Sequence, residues 1–203
     1  MTLRLALLGD SIAFGTGASR PQDRLGPRLA AALADRGLPA ESRAFAVPGS
    51  TSAGLAQQVR AALAWRPDVA VVVVGANDLT RLRPVEQAAA ELRAAVSALR
   101  ATGTAVVLAP APDLSVVPHV PAAARELVRL GSLRLRTAQV AVALAEGARV
   151  ADVDAATSSA FAADPSLFAA DRFHPSSRGY ALVAEALLPP VLAAVDDREA
   201  QAG

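Results

Sequence analysis

The chain contains no cysteine. Disulfides, thiolate catalysis and cysteine-ligated metals are excluded with it. Lysine is also missing, so all 20 basic residues are arginine. With the high alanine content, that pattern reads as a coding bias rather than a functional choice. Aromatic residues make up only 3% of the chain, and its one tryptophan, Trp65, falls at the end of a helical run, so stacking platforms for a polysaccharide are scarce. The net charge of +1 gives no electrostatic case for a nucleic-acid partner. No apolar run reaches the ~20 residues of a membrane span. The first apolar run stops at Leu8, too short for a signal-peptide core. These absences set the expectation of a cytoplasmic protein without a transmembrane segment. What remains is ample for a core: 53% of 203 residues are hydrophobic. The length suits one domain, with a core from about residue 3 to 195 and a frayed tail over 196–203.

The chain is organised around Leu5-Ala6-Leu7-Leu8-Gly9-Asp10-Ser11, an apolar run that ends in a Gly-Asp-Ser turn. A strand that ends so tightly presents the next side chain, the Ser11 hydroxyl, at the rim of a sheet. Further short strands are predicted at 41–46, 69–74, 105–109 and 149–153, of which 69–74 is the clearest, β-branched and uniformly apolar. Helical spacing covers 24–36, where Leu25, Leu29 and Leu33 fall in register, and also 53–65, 85–102, 122–146 and 176–195. Residues 9–20 read as a Gly- and Ser-rich loop, and 154–173 as a long irregular connection. Strands alternating with helices imply a parallel sheet covered on both faces. Ligands of such sheets sit at the carboxyl ends of the strands, where each polar motif of this chain falls.

A serine hydroxyl needs a base. The candidates are His119 and His174. His119 lies between prolines with no carboxylate near it in sequence, and reads as a loop residue. His174 stands in Asp171-Arg172-Phe173-His174-Pro175, just ahead of a helix start. A carboxylate three residues before an imidazole can reach its Nδ1 across one turn and fix its tautomer. Asp10 is an alternative acid that reads better as a turn residue bonding its own loop, and Asp154 and Asp164 are weaker ones. Asp78 reads as structural. Donors for a developing oxyanion are available from the Ser11 backbone N–H, the Gly49 backbone N–H after strand two and the Asn77 side-chain amide after strand three. Each block taken alone is also a common turn composition.

Together, Ser11 in Gly-Asp-Ser, Gly49 in Pro-Gly-Ser-Thr, Asn77 in Gly-Ala-Asn-Asp and His174 in Asp-Arg-Phe-His-Pro resemble the four blocks of the SGNH hydrolases, the GDSL esterases and lipases. The resemblance spans nearly the whole chain. It departs mildly at Ile12, where the family name has leucine, and at Ala76, where many members have glycine. It implies a flavodoxin-like three-layer α/β/α sandwich with a five-stranded parallel sheet. It implies Ser11 as nucleophile, His174 as base and then acid, Asp171 as the residue orienting His174, and an oxyanion hole of Ser11, Gly49 and Asn77. It implies no metal and no cofactor.

The loops at the strand ends bear on substrate. Residues 110–121 are apolar and proline-stiffened, and 155–173 bring Phe161, Leu167, Phe168 and Phe173. Such loops suit an acyl chain, although they can equally serve to cover the sheet edge. The expectation is a serine esterase or lipase-type hydrolase acting on small acyl esters of short or medium chain. The alternative is a carbohydrate or polyol deacetylase on the same residues. A non-catalytic phosphate- or nucleotide-binding domain is the third reading, disfavoured because the Gly9–Gly17 loop lacks the spacing and lysine of a phosphate-binding loop.

Overall fold

A computed structural model describes residues 2–118 and 120–202. The loop reading of His119 therefore lies outside the described residues. Five strands, β1 (Leu3–Gly9), β2 (Ala40–Ala44), β3 (Val69–Val73), β4 (Ala105–Ala109) and β5 (Arg149–Val150), form one sheet in the order β2-β1-β3-β4-β5. Every pairing is parallel, and Leu5 stands opposite Val69, which stands opposite Ala105. That is a doubly wound, flavodoxin-like order, in keeping with the five-stranded parallel sheet that the family resemblance implies.

The alternation of side chains along the central strands sorts the core into two layers. Leu5, Leu7, Val69 and Val71 face one side, against Leu25, Leu29 and Leu33 of α2 (Leu25–Ala34) and Tyr180, Leu187 and Val191 of α8 (Ser177–Ala202). Ala6, Leu8, Ala70 and Val72 face the other, against α3 (Leu55–Trp65), α5 (Val85–Arg100) and α6 (Arg125–Ala145). β2 is the solvated edge, which is why its sequence Ala-Glu-Ser-Arg-Ala carries charge that the buried strands do not.

Four expectations are corrected. The stretch 9–20 contains a one-turn helix, α1 (Ser11–Phe14), capped by Asp10 at its start and by Gly15 at φ 92° at its end. The turn after β3 is another short helix, α4 (Ala76–Thr80). The connection read as irregular holds α7 (Val153–Ala163), started by the Asp152 side chain, which accepts from the Ala155 N–H. Its alanines and serines leave little apolar periodicity to detect. The tail is helical to Ala202: Asp197 pairs with Arg149 at 2.7 Å, and Arg198 with Asp68 at 2.5 Å. Residues Ser177–Arg198 have the length and mean hydropathy, 1.4, of a membrane span, which the sequence reading did not single out; half of that stretch is buried within the protein.

Candidate active site

The site lies at the carboxyl ends of β1 and β3 and is built first from glycine. Gly9 closes β1 at φ 126°, and a Cβ there would sit 1.8 Å from the Val73 carbonyl oxygen. Only glycine lets β1 end against β3 in this way. Gln58 of α3, buried among leucines, holds that end from both sides. Its amide oxygen accepts from the Gly9 N–H at 2.7 Å and its amide nitrogen donates to the Gly9 carbonyl at 2.8 Å. Gln139 of α6, fully buried, links the ends of β3 and β4 through the Val74 carbonyl at 3.0 Å and the Ala111 N–H at 2.7 Å. Neither glutamine was singled out from the sequence. Their signal was a polar residue in an apolar helical stripe, Leu55-Gln58-Val59-Ala62 and Leu135-Gln139-Val142.

With β1 so fixed, Ser11 opens α1 with its side chain nearly buried. His174 Nε2 is 2.8 Å from Ser11 Oγ, and His174 Nδ1 is 2.6 Å from Asp171 Oδ2. The other Asp171 oxygen accepts the backbone N–H groups of Phe173 at 2.9 Å and His174 at 3.0 Å. One carboxylate thus shapes the loop with one oxygen and meets the imidazole with the other. Partial burial pushes the Asp171 carboxyl up, but the His174 ring and the two backbone donors outweigh it and hold the group at about 2. Arg172 takes φ 55° to make this loop close, and Ala169 N–H donates to the His174 carbonyl at 2.8 Å. The loop is anchored beyond His174 by Ser177, whose hydroxyl donates to Asp23 and accepts from the Ser19 N–H.

The structure separates the carboxylates that the sequence left open. Asp10 is buried and accepts the Ile12 N–H at 3.0 Å in its own turn. Burial raises its carboxyl to about 6, against the lowering effect of the Ile12 N–H and the nearby His174. Asp154 accepts from the Asp113 N–H and pairs with Arg136 at 3.6 Å. Asp164 caps the turn 165–167 through the Ser166 N–H and pairs with Arg178. Among the carboxylates of the described residues, only Asp171 bonds the His174 ring.

The Gly49 turn is held almost entirely by α4 and the residues after it. Pro48 and Gly49 form a turn closed by Ser50 N–H on the Val47 carbonyl, with Gly49 at φ 78°. Arg81 donates to the Gly49 carbonyl at 2.8 Å, and Asn77 Nδ2 donates to the Ser50 carbonyl at 3.0 Å. Arg83 donates to the Thr51 hydroxyl at 2.7 Å. Asp78, buried, accepts the Ser52 N–H and hydroxyl at 3.0 Å each, the structural part read for it from the sequence. The Asn77 amide bonds Ser50 with one hydrogen and keeps the other. Among the described residues, the backbone N–H groups of Ser11 and Gly49 have no acceptor.

Beside these groups opens an apolar pocket of about 110 Å³. Ile12, which follows Ser11, Ala76, which precedes Asn77, and Phe173 and Pro175, which flank His174, all line it. Its far wall comes from the two loops singled out in the sequence, through Leu114 and Val117 on one side and Phe161 and Phe168 on the other. Phe161 and Phe168 stack edge-on at 5.0 Å. Trp65 is remote: its carbonyl accepts from the Arg4 guanidinium at the start of β1, and its ring packs on Phe45.

Residues 7–182 match the model of the GDSL-like lipase/acylhydrolase family. A GDSL-like esterase of Mycobacterium tuberculosis is 36% identical over 189 residues, 91% of this chain. The chain belongs to the GDSL-like lipase/acylhydrolase family. It spans 60% of the length of that mycobacterial relative. Among solved structures, TesA superimposes with a TM-score of 0.78 at 23% identity, covering 94% of this chain and 99% of its own. Axe2, an acetylxylan esterase from Geobacillus stearothermophilus, gives 0.75 at 20% identity, over 93% and 94%. The psychrotrophic esterase EstA from Pseudoalteromonas sp. gives 0.74 at 17%, over 95% and 98%. These likenesses are of fold, and they agree with the five-stranded parallel sheet and its two helical layers.

Proposed function

We propose that this family member hydrolyses carboxylic esters of small acyl groups, as a single catalytic domain, with Ser11 as nucleophile. The observation that carries the reading is the pair of short contacts that joins Asp171 Oδ2 to His174 Nδ1 at 2.6 Å and His174 Nε2 to Ser11 Oγ at 2.8 Å. An imidazole so held has its proton on Nδ1 and a free lone pair on Nε2 toward the serine. His174 takes the Ser11 proton as Oγ bonds to the acyl carbon, and the carbonyl π electrons move to the oxygen. The N–H groups of Ser11 and Gly49 and the spare Asn77 hydrogen receive that oxyanion. Collapse breaks the bond to the alcohol oxygen, which leaves with the proton from His174. Water, deprotonated by His174, then attacks the acyl-serine and releases the acid and Ser11.

The pocket argues for the acyl group over the sugar. Its wall is apolar, and about 110 Å³ is somewhat less than the ~150 Å³ of a cavity that admits benzene. A butyryl or hexanoyl chain fits that scale. The test is a series of p-nitrophenyl esters from acetate to palmitate, run beside acetylated xylose. The reading expects a maximum at butyrate or hexanoate and loss of activity in Ser11→Ala. A maximum on acetylated sugar favours the deacetylase, and an unchanged rate in Ser11→Ala sinks the mechanism.

A further inference from the structure

Gln58 makes a third bond beyond the two that hold Gly9. Its amide nitrogen carries two hydrogens. One goes to the Gly9 carbonyl at 2.8 Å and the other to the Ser50 hydroxyl at 3.2 Å. The partners fix which way this amide points. The Gly9 N–H can only donate and the Gly9 carbonyl can only accept, so Oε1 faces the first and Nε2 the second. The Ser50 hydroxyl is oriented in the same way. It donates to the Thr51 carbonyl at 3.1 Å, which leaves a lone pair for the Gln58 amide. Gln58 itself is buried, so water does not compete for these bonds.

The two residues joined in this way belong to the two turns whose spacing matters to the site. Gly9 ends β1, two residues before Ser11, and Ser50 follows Gly49. Both legs of the turn 47–50 are pinned to Gly9. On the incoming leg, the Val47 N–H donates to the Gly9 carbonyl at 3.1 Å. On the outgoing leg, Ser50 reaches the same carbonyl through Gln58. Asn77 and Arg81 hold the turn from the other side, on the Ser50 and Gly49 carbonyls, and so refer it to α4 and not to β1. Among the described residues, the hydrogen-bonded links from 47–50 to β1 run through Val47 and Gln58. Gly54 is fitted to the second link. A Cβ there would lie 2.0 Å from Ser50 Oγ and 3.7 Å from Gln58 Nε2. Its φ of −69° is one that any residue adopts, so the backbone does not call for glycine. What glycine supplies at 54 is room for the Ser50 hydroxyl.

We propose that Gln58 and Ser50 are positioning residues: their bond sets the place of the Gly49 N–H relative to Ser11, and Gly54 leaves the space in which it forms. The tie is a property of the two turns; that it serves an oxyanion rests on the hydrolase reading.

The experiment is a double-variant cycle on p-nitrophenyl butyrate, with amide exchange followed by NMR. Ser50→Ala removes the hydroxyl, and Gly54→Ala drives it out of place. Each should lower kcat about tenfold and leave KM within about twofold, because an oxyanion donor shifts while the acyl pocket stays. The two together should also lower kcat about tenfold, not about a hundredfold. Without the hydroxyl, the nearest Ser50 atom to a Cβ at 54 is its own Cβ at 3.4 Å, an ordinary contact. Exchange of the Ser50 N–H, which closes the turn on Val47, should quicken about tenfold in both single variants. Melting should fall by only a few degrees. An unchanged kcat in Ser50→Ala, or a fall in the pair that multiplies the two single falls, overturns the proposal. A loss carried by KM overturns it too. Should Gly54→Ala fail to fold, the kcat and exchange of Ser50→Ala decide alone. A wild type inert on the ester removes the hydrolase reading; the tie then stands if exchange quickens in Ser50→Ala and falls if exchange is unchanged.

Discussion

Two loops meet the carboxyl end of β1, one through His174 on Ser11 and the other through Val47 on Gly9, and they are built in opposite ways. The His174 loop is shaped from within. Asp171, three residues away, supplies both the turn and the partner of the ring. The Gly49 loop is shaped from outside, by Asn77, Asp78, Arg81 and Arg83, some thirty positions along the chain. The first is a local motif that carries its own geometry. The second takes its geometry from a neighbour, and each polar group it offers the site is set by a side chain that never touches it in sequence. Damage should therefore spread differently. On the proposed mechanism, a change in the first loop removes one catalytic contact at once, and a change around the second loosens the proposed oxyanion donors by degrees.

The largest effect expected is in His174→Ala, a fall in kcat of about 10⁵-fold on the proposed mechanism, measured on p-nitrophenyl butyrate. Asp171→Asn keeps an oxygen for the two backbone donors and removes the carboxylate from His174. Its kcat should fall by about 10³-fold with little change in melting temperature. Asp154→Ala and Asp164→Ala should leave the rate near that of wild type; a large loss in either would reassign the acid. Gln58→Leu should lower unfolding free energy by about 3 kcal/mol in urea titration, because two backbone groups of Gly9 lose their partners in the core. Asp78→Asn should cost about 30-fold in kcat with KM nearly unchanged, since the donors move and the pocket does not. If Asp78→Asn proved as severe as His174→Ala, the contrast between the loops would fail.

The smallest effect is one of pH. Burial raises the Asp10 carboxyl to about 6, so the folded state binds its proton more tightly than the unfolded chain. Stability from this group is present at low pH and is lost as pH rises through about 6. Asp171 has the opposite sign: its stabilisation is present above the unfolded value and is lost as pH falls toward about 2. Asp10→Asn should match wild type near pH 4 and exceed it above pH 6 by about 2 kcal/mol. Urea midpoints across that range give the difference directly.

The same division explains what could be read from the sequence. The alternation of strands and helices, the covering of both sheet faces and the meeting of Asp171 with His174 follow from patterns within a few residues and were legible, while the flavodoxin-like order came only from the family resemblance. Asp10 was rightly read as a turn residue, because its acceptor role is served two residues on. α7 was missed because Asp152 starts it while its alanines and serines show no stripe. The tail was misread because its helix is held by Arg149 and Asp68, far away in the chain. Gln58, Gln139 and Arg81 act on backbone groups more than twenty residues off, so spacing cannot reveal what they hold.

The central claim is that Ser11 forms the bond to the acyl carbon. A p-nitrophenyl phosphonate, which leaves a stable phosphonyl ester on an activated serine, tests it most directly by mass spectrometry. The account predicts one phosphonyl group per chain, on the peptide that bears Ser11, with activity lost in step and no label in Ser11→Ala. Label on another residue, or full ester hydrolysis by a chain labelled to completion at Ser11, would contradict it.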